Sequence, residues 1–375
     1  MDIIAPMKIL SIFGTRPEAI KMAPLIKALQ TDYPALTSVV CVTAQHRQML
    51  DQVLDLFGIV PDHDLDLMQP NQTLAALTAN AMQRLDAVIS AERPDWVLTQ
   101  GDTTTAMVGS LTAFYHRVRV GHVEAGLRTW DNYQPFPEEV NRRIADAVAH
   151  LHFAPTAHSR QNLLREGVPP ASIIVTGNTV IDALLDVAAR PYDWSSGPLA
   201  AIPTGRRIVL VTAHRRENFG APLREICAAL RDIAAYSPDL QLVYPVHLNP
   251  NVQEVVHAEL GPLPNVTLLP PLDYLPLVHL MKAAELILTD SGGIQEEAPG
   301  LGKPVLVLRE VTERPEGVEA GTVRLVGTDR ARIVTETLRL LRDPAEYQRM
   351  ANAINPYGDG QASRRILDSI VNCAD

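Results

Sequence analysis

A chain of 375 residues with 46% hydrophobic content can bury a sizeable core, and its length divides most readily into two ordinary globular domains. A formal net charge of -10, with only 20% charged residues, argues against nucleic acid as a partner, so any anionic ligand must meet a local cluster of cations. There is no secretory signal pattern and no run near the roughly 18 apolar residues of a membrane helix, and the scattered Cys41, Cys227 and Cys373 match neither a disulfide framework nor metal-ligand spacing; the expectation is a soluble, cytoplasmic protein that binds no membrane.

Short apolar runs then alternate with amphipathic segments, which predicts repeated beta-alpha-beta units and a doubly wound α/β fold. In the first half the runs are MKILSIF, SVVCVTA, DWVLTQG, VRVGHVEAG, LHFAP and SIIVTGN. The first run leads into FGTRPEAIKMAP, where Gly14 gives a tight turn, Pro17 suits the first helical position, and Arg16 and Lys21 bring positive charge to a helix start. That is an anion site in outline, and a capped helix with surface cations is the alternative. A single glycine there does not make the GxGxxG dinucleotide fingerprint. TAQHRQMLDQ places Gln45, His46, Arg47 and Gln48 where the second run becomes a helix. LTQGDTTT ends a buried run at Asp102, which either caps the next helix or works chemically. The following run delivers Glu124 at a strand end, where no helix dipole calls for an acid, and FPEEVNRR adds Glu138 at a helix start. Asp102, Glu124 and Glu138 thus fall on one rim of the expected sheet, beyond the carboxyl ends of its strands.

The pattern lapses over residues 190–206, RPYDWSSGPLAAIPTGR, which reads as a linker between a first domain at 1–189 and a second at 207–357. The second series runs RIVLVTAH, LQLVYPVH, NVTLLPP, ELILTDSG, KPVLVLRE and TVRLVG. HRREN follows its first strand and sets His214 beside two arginines, a costly group to bury without an anion, and VYPVHLNPN offers His247. LTDSGGIQEEAP runs a strand into Asp290, Ser291, Gly292 and Gly293, and the paired glycines let backbone N–H groups approach phosphate closely; Glu296 and Glu297, read as first-turn acids, could accept from ribose hydroxyls, and Arg314 in TERPE adds a loop cation. Nothing in the spacing indicates a metal. Residues 358–375 read as a turn and a helix crossing back to the first domain, and two similar halves imply a cleft between them.

Taken collinearly, FGTRPEAIKMAP, TAQHRQMLDQ, GDTTT, GHVEAGLRT, HRREN, YPVHLNPNV, DSGGIQEEAP, GKPVLVLRE, TERPE and NPYGDGQA closely resemble the non-hydrolysing UDP-N-acetylglucosamine 2-epimerases over nearly the whole chain. The resemblance implies two Rossmann-like domains in the glycosyltransferase-B architecture and inversion of C2 by elimination and re-addition of UDP, with no cofactor. It implies that Asp102, Glu124 and Glu138 move protons, and that Arg16, Lys21, His214, Ser291, Gly292, Gly293, Glu297 and Arg314 hold the substrate, His214 also taking part in catalysis. Leu272 and Leu277 stand where relatives carry a polar residue and a Phe near uracil, and Gln45, Gln48 and His247 match an activating subsite. A homodimer supplying precursor for surface polysaccharide is the further implication. A glycosyltransferase, a hydrolysing epimerase and a UDP-sugar sensor are the rival readings, since fold alone does not choose among them.

Overall fold

A computed structural model of the chain describes residues 6–44, 47–68 and 72–373. Its residues fall into two units, the first comprising Met1–Ala183 with Tyr357–Asp375 and the second Leu184–Pro356.

The first unit carries β1 (Lys8–Phe13), β2 (Thr37–Val42), β3 (His63–Asp64), β4 (Trp96–Gln100), β5 (Arg119–Val123), β6 (Leu151–Ala154) and β7 (Ile173–Val175). They form one sheet in the order β3-β2-β1-β4-β5-β6-β7, and all its pairings are parallel. Helices cover the sheet, so its strands are buried and read as continuous apolar runs; β4, WVLTQ, is buried at every position. Only β3 had no such run: two residues inside the polar stretch PDHDLDL pair with Cys41 and Val42 at the sheet edge.

The second unit repeats the plan with β8 (Arg207–Thr212), β9 (Leu240–Pro245), β10 (Val266–Leu269), β11 (Leu286–Thr289), β12 (Val305–Val307) and β13 (Val323–Leu325), in the order β10-β9-β8-β11-β12-β13. Two doubly wound, Rossmann-like sheets result. Each has a switch point, between β1 and β4 in one and β8 and β11 in the other, where successive crossovers leave in opposite directions and open a crevice at the strand ends. Val209, Val211, Leu286, Leu288 and Leu306 of the second sheet pack with Ile226, Leu230 and Ile233 of helix Ala221–Tyr236 in a core from which water is excluded. Burying one such aliphatic side chain is worth about 1.5–3 kcal/mol.

The division between units falls at Ala183, inside helix Thr179–Ala189, ahead of the expected boundary at residue 189. The Pro-, Gly- and Ser-rich segment after it is not a free tether. Leu199 and Ile202 are buried, and Tyr192 stacks on His279 with ring centroids 4.9 Å apart. The last helix, Ala362–Asn372, belongs to the first unit. Asp182 accepts hydrogen bonds from the backbone N–H groups of Ala362 at 3.2 Å and Ser363 at 2.8 Å, and Tyr33 Oη donates to Asp368 at 2.6 Å. A carboxylate at a helix N-terminus satisfies orphan donors there, which anchors this helix by its first turn.

Candidate active site

At the switch point of the first unit the helix Arg16–Thr31 begins one residue earlier than Pro17, with half-buried Arg16 in its first position. Thr15 caps it together with Glu18. Glu18 is buried and accepts from Gly14 N at 3.0 Å, Thr15 N at 2.7 Å and Thr103 Oγ1 at 2.5 Å, which ties the loop after β1 to the loop after β4. Burial raises its carboxyl above the ordinary value, against the pull of the donors from Thr103, Thr15 and Gly14. One helical turn further on, Lys21 Nζ reaches Glu124 Oε2 in a close ion pair, and Asn178 Nδ2 donates to the same oxygen at 3.1 Å. Glu124 is 9% exposed and lies at φ +66°, a left-handed conformation that a side chain other than Gly, Asn or Asp seldom adopts without a functional reason.

Asp102 follows Gly101, whose φ of +71° turns the chain sharply at the end of β4. Its carboxylate pairs closely with Arg142, and its backbone carbonyl accepts from Asn141 Nδ2 at 3.0 Å. Both partners belong to helix Glu138–Val148, which Glu138 opens. Glu138 is partly exposed and stands four residues before Arg142, a spacing that puts the two on one helix face. Its neighbour Glu139 is fully buried and accepts from the backbone N–H groups of Thr129 and Trp130 at 3.1 Å each, so it shapes the preceding loop. The three carboxylates singled out from the sequence therefore lie at the ends of β4 and β5 and on the helix bonded to Asp102.

The second unit answers with a different chemistry. Fully buried Asp290, at the end of β11, accepts through Oδ2 from His214 N and Arg215 N at 2.8 Å each and from Asn218 Nδ2 at 3.0 Å. It thereby folds the loop after β8 into place, while its Oδ1 has no hydrogen-bond partner and lies 3.6 Å from His214 Nδ1. The His214 ring stacks on that of His247, centroids 5.3 Å apart. Burial pulls His214 below its ordinary pKa, with His247 and Arg215 adding to the effect and Asp290 opposing it. Ser291 stands at the N-cap position of helix Gly292–Gly300 without a capping bond from its side chain. Side chains added at Gly292 and Gly293 would meet only Arg215 Nη2 at 3.6 Å, Glu297 Oε1 at 3.4 Å and Ser291 Oγ at 4.0 Å, so no packing demands glycine there. Helical N–H groups, Arg215 and the imidazole of His214 thus surround a place that suits a phosphate.

Two acids of that helix part company. Glu297 accepts from Tyr274 Oη at 2.8 Å. Glu296 is buried and pairs closely with Arg314, so it is not available to a ribose hydroxyl; it lies beyond the first helical turn, on the inner face. Leu272 is buried before helix Tyr274–Ala283, and Leu277 lies half-buried on that helix. His247 is exposed and accepts from Asn249 N at 3.1 Å through Nδ1. Gln48 falls in helix Arg47–Phe57, and Gln45 lies outside the described residues. Among the described residues no group of three or more His, Cys, Asp and Glu side chains is placed to hold a metal, and no helix is long and apolar enough to cross a membrane.

Sequence reasoning missed Glu18, Arg142, Asn178 and a buried ion cluster behind Asp102, groups that orient these side chains, and it saw Asp290 without its task of holding the loop after β8. In that cluster His122 bonds through Nδ1 to Asp146 Oδ1 at 2.6 Å and through Nε2 to the carbonyl of Gly101 at 2.7 Å. Arg128 closes it, donating to Asp146 Oδ2 and to Glu166 Oε2 at 2.6 Å each.

The profile of the UDP-N-acetylglucosamine 2-epimerase family matches residues 27–371. The UDP-N-acetylglucosamine 2-epimerase of Escherichia coli K12 is 59% identical over 372 residues, covering 98% of this chain and 99% of that protein. The enzyme of that name from Bacillus subtilis is 54% identical, covering 97% and 95%. The crystal structure of the Neisseria meningitidis UDP-GlcNAc 2-epimerase bound to UDP-GlcNAc superposes with a TM-score of 0.87 at 49% identity, covering 98% of this chain and 100% of that one. The Methanocaldococcus jannaschii UDP-GlcNAc 2-epimerase in complex with UDP-GlcNAc and UDP gives 0.79 at 32% identity, with the same coverage.

Proposed function

This chain belongs to the UDP-N-acetylglucosamine 2-epimerase family, and from that premise we infer that it interconverts UDP-N-acetylglucosamine and UDP-N-acetylmannosamine by eliminating UDP and adding it back. The observation that carries the reading is the seating of Asp102 and Glu124 at neighbouring strand ends, each on its own cation, Arg142 and Lys21. Paired in this way a carboxylate is held in one orientation, and a base must be in place before it takes a proton.

The proton on C2 of the sugar is not acidic in the ground state. Its removal has to accompany loss of the anomeric phosphate: the C2–H electron pair becomes the C1–C2 double bond, and the C1–O pair leaves with UDP. Reversal with the proton delivered to the opposite face of C2 gives the epimer, and no external hydride carrier enters the balance. Asp102, Glu124 and Glu138 are assigned the proton transfers. Arg16, His214, Ser291, Gly292, Gly293 and Arg314 are assigned the leaving UDP, whose charge grows as the bond breaks, so contacts made there act on the transition state more than on the ground state. Lys21 is assigned a further substrate contact, and Glu297, set by Tyr274, takes the ribose. Leu272 and Leu277 offer uracil apolar contact without an aromatic face. The chain is further proposed to work in the cytoplasm as a homodimer, feeding surface polysaccharide, with Gln45, Gln48 and His247 as an activating subsite; strictly hyperbolic kinetics would count against that subsite.

The experiment is proton NMR of the purified protein with UDP-N-acetylglucosamine in deuterated water, with neither NAD nor metal added. Appearance of the manno epimer with deuterium at C2 is the expected result. An unchanged spectrum, or free sugar with UDP, would overturn the assignment.

A further inference from the structure

His122 lies on β5, two residues before Glu124, and is fully buried. Both of its ring nitrogens face acceptors at hydrogen-bond distance, Asp146 Oδ1 at 2.6 Å and the Gly101 carbonyl at 2.7 Å. A carbonyl oxygen only accepts, so Nε2 carries a proton. Asp146 takes Arg128 on its other oxygen at 2.6 Å and is therefore a carboxylate, so Nδ1 carries a proton as well. The ring is an imidazolium. Other groups around it are Glu166, which pairs with Arg128 and with Arg143, and His152, whose Nε2 donates to the backbone carbonyl of Asp146 at 2.9 Å. The imidazolium and Arg128 balance the charges of Asp146 and Glu166, which lets four charged groups share an interior that would reject any of them alone. Burial opposes the charge on His122, yet Asp146 and the Gly101 carbonyl raise its pKa above the ordinary value, and Asp146 in turn falls to about 2 despite its own burial.

Gly101 is the residue on which Asp102 turns. Its N–H donates to Val123 O at 3.0 Å while its carbonyl takes the His122 proton, so the left-handed turn is pinned to β5 on both sides. The helix that supplies Asp146 also supplies Asn141 and Arg142, the partners of Asp102, and begins with Glu138. One buried ion pair therefore reaches Asp102 through its turn and through its helix, and reaches Glu124 through β5, which Glu124 directly follows.

We propose that His122, held as an imidazolium between Asp146 and the carbonyl of Gly101, is a positioning residue that fixes the catalytic carboxylates for proton transfer at C2. The proposal rests on the epimerase reading above for its kinetic consequence, whereas the charge state of the ring does not.

The test uses the full chain labelled with 15N-histidine. Long-range nitrogen-proton spectra, with the His122 signal assigned by its loss in His122→Gln, are expected to show both ring nitrogens protonated at pH 7; a bare ring nitrogen at pH 7 overturns the proposal. His122→Gln keeps a donor and loses the charge. Its kcat is expected to fall about 100-fold, the scale of a misplacement near 1 Å, while KM stays within about threefold, the signature of an interaction made only in the transition state. Asp146→Asn, which removes the counter-charge and leaves the His122–Gly101 contact, is expected to move kcat in the same direction. A merely structural His122 would lower the unfolding temperature and leave kcat per folded molecule unchanged, and that result in either variant sinks the idea. Should the unaltered protein fail to epimerise, the functional assignment falls, and a doubly protonated ring would still be seen.

Discussion

The two units share one strand order and place their polar groups at equivalent switch points, yet they use those places in opposite ways. After β4 and β5 the first unit presents carboxylates, each held by a cation: Asp102 by Arg142, and Glu124 by Lys21 of the helix after β1. After β8 and β11 the second unit buries its carboxylate, Asp290, under the loop and leaves N–H groups and cations outermost. Their glycines differ in the same sense. A side chain added at Gly14 would stand 2.0 Å from Thr43 Oγ1 and 2.8 Å from Thr105 Oγ1, so that glycine is imposed by protein packing. At Gly292 and Gly293 the nearest atoms are 3.4 Å away or more, so the bare backbone there leaves room for something that is not protein. A common fold sets where chemistry can be placed, and the direction of a few buried hydrogen bonds decides whether that place handles protons or anions.

The comparison is broken most severely by Glu124→Gln. The amide keeps the shape and the contacts of Lys21 and Asn178 but accepts no proton, so kcat should fall by about 10²–10⁴, the usual contribution of a positioned acid or base. UDP affinity by calorimetry should hardly change, because Glu124 is not among the groups assigned to UDP. A parallel loss of UDP binding would show that the division of labour is wrong. Gly14→Ala comes next, and here the loss is of stability: forcing a methyl against two buried threonines should cost about 1–3 kcal/mol in denaturant unfolding. Gly293→Ala sharpens the contrast, since it should leave stability within about 0.5 kcal/mol and weaken UDP binding by about tenfold, or 1.4 kcal/mol. If the two glycine variants exchange behaviour, the packing and ligand roles have been assigned the wrong way round.

Much of this was legible in the sequence because buried parallel strands read as apolar runs, and because ligand-facing residues follow those runs directly. Asp102, Glu124, His214 and Ser291 each stand within two residues of a strand end. What could not be read was whatever depends on pairing across long separations. Arg128 meets Glu166 38 residues on, and Arg142 meets Asp102 40 residues back, with no local period to betray either. Asp290 was visible in its motif, but its task was not: the same Asp-Ser-Gly-Gly string could point its carboxylate at a ligand or beneath a loop, and only the positions of His214 N and Arg215 N decide. Glu296 and Glu297 were alike as letters and separate as structure, one buried against Arg314 and the other bonded to Tyr274. The β3 strand escaped because an edge pairing of two residues needs no apolar run.

The smallest expected effect tests the comparison through pH. His122 in the first unit is raised above its ordinary value of 6.5, so its contribution to stability is fully present below 6.5 and is lost as pH climbs through the folded value. Asp146 falls from 3.8 to about 2, so its contribution is present above 3.8 and is lost as pH drops toward 2. His214 in the second unit is lowered from 6.5, so the folded loop binds protons less readily than the unfolded chain and becomes less stable as pH falls below 6.5 toward the folded value. Between about pH 4 and 6.5 the contribution of His214 should therefore fall while that of His122 does not, and above neutrality the contribution of His122 should fall while that of His214 does not. Each pH unit inside such a window is worth at most about 1.4 kcal/mol. Hydrogen exchange, corrected for its intrinsic pH dependence, reads the two separately: protection of the Gly101 amide, whose turn His122 holds, should decline on the alkaline side, and that of the His214 and Arg215 amides on the acid side. Amides of both regions responding together on the same side of neutrality would mean that the histidines are not of opposite character, and the contrast between a proton-handling edge and an anion-holding edge would lose its electrostatic basis.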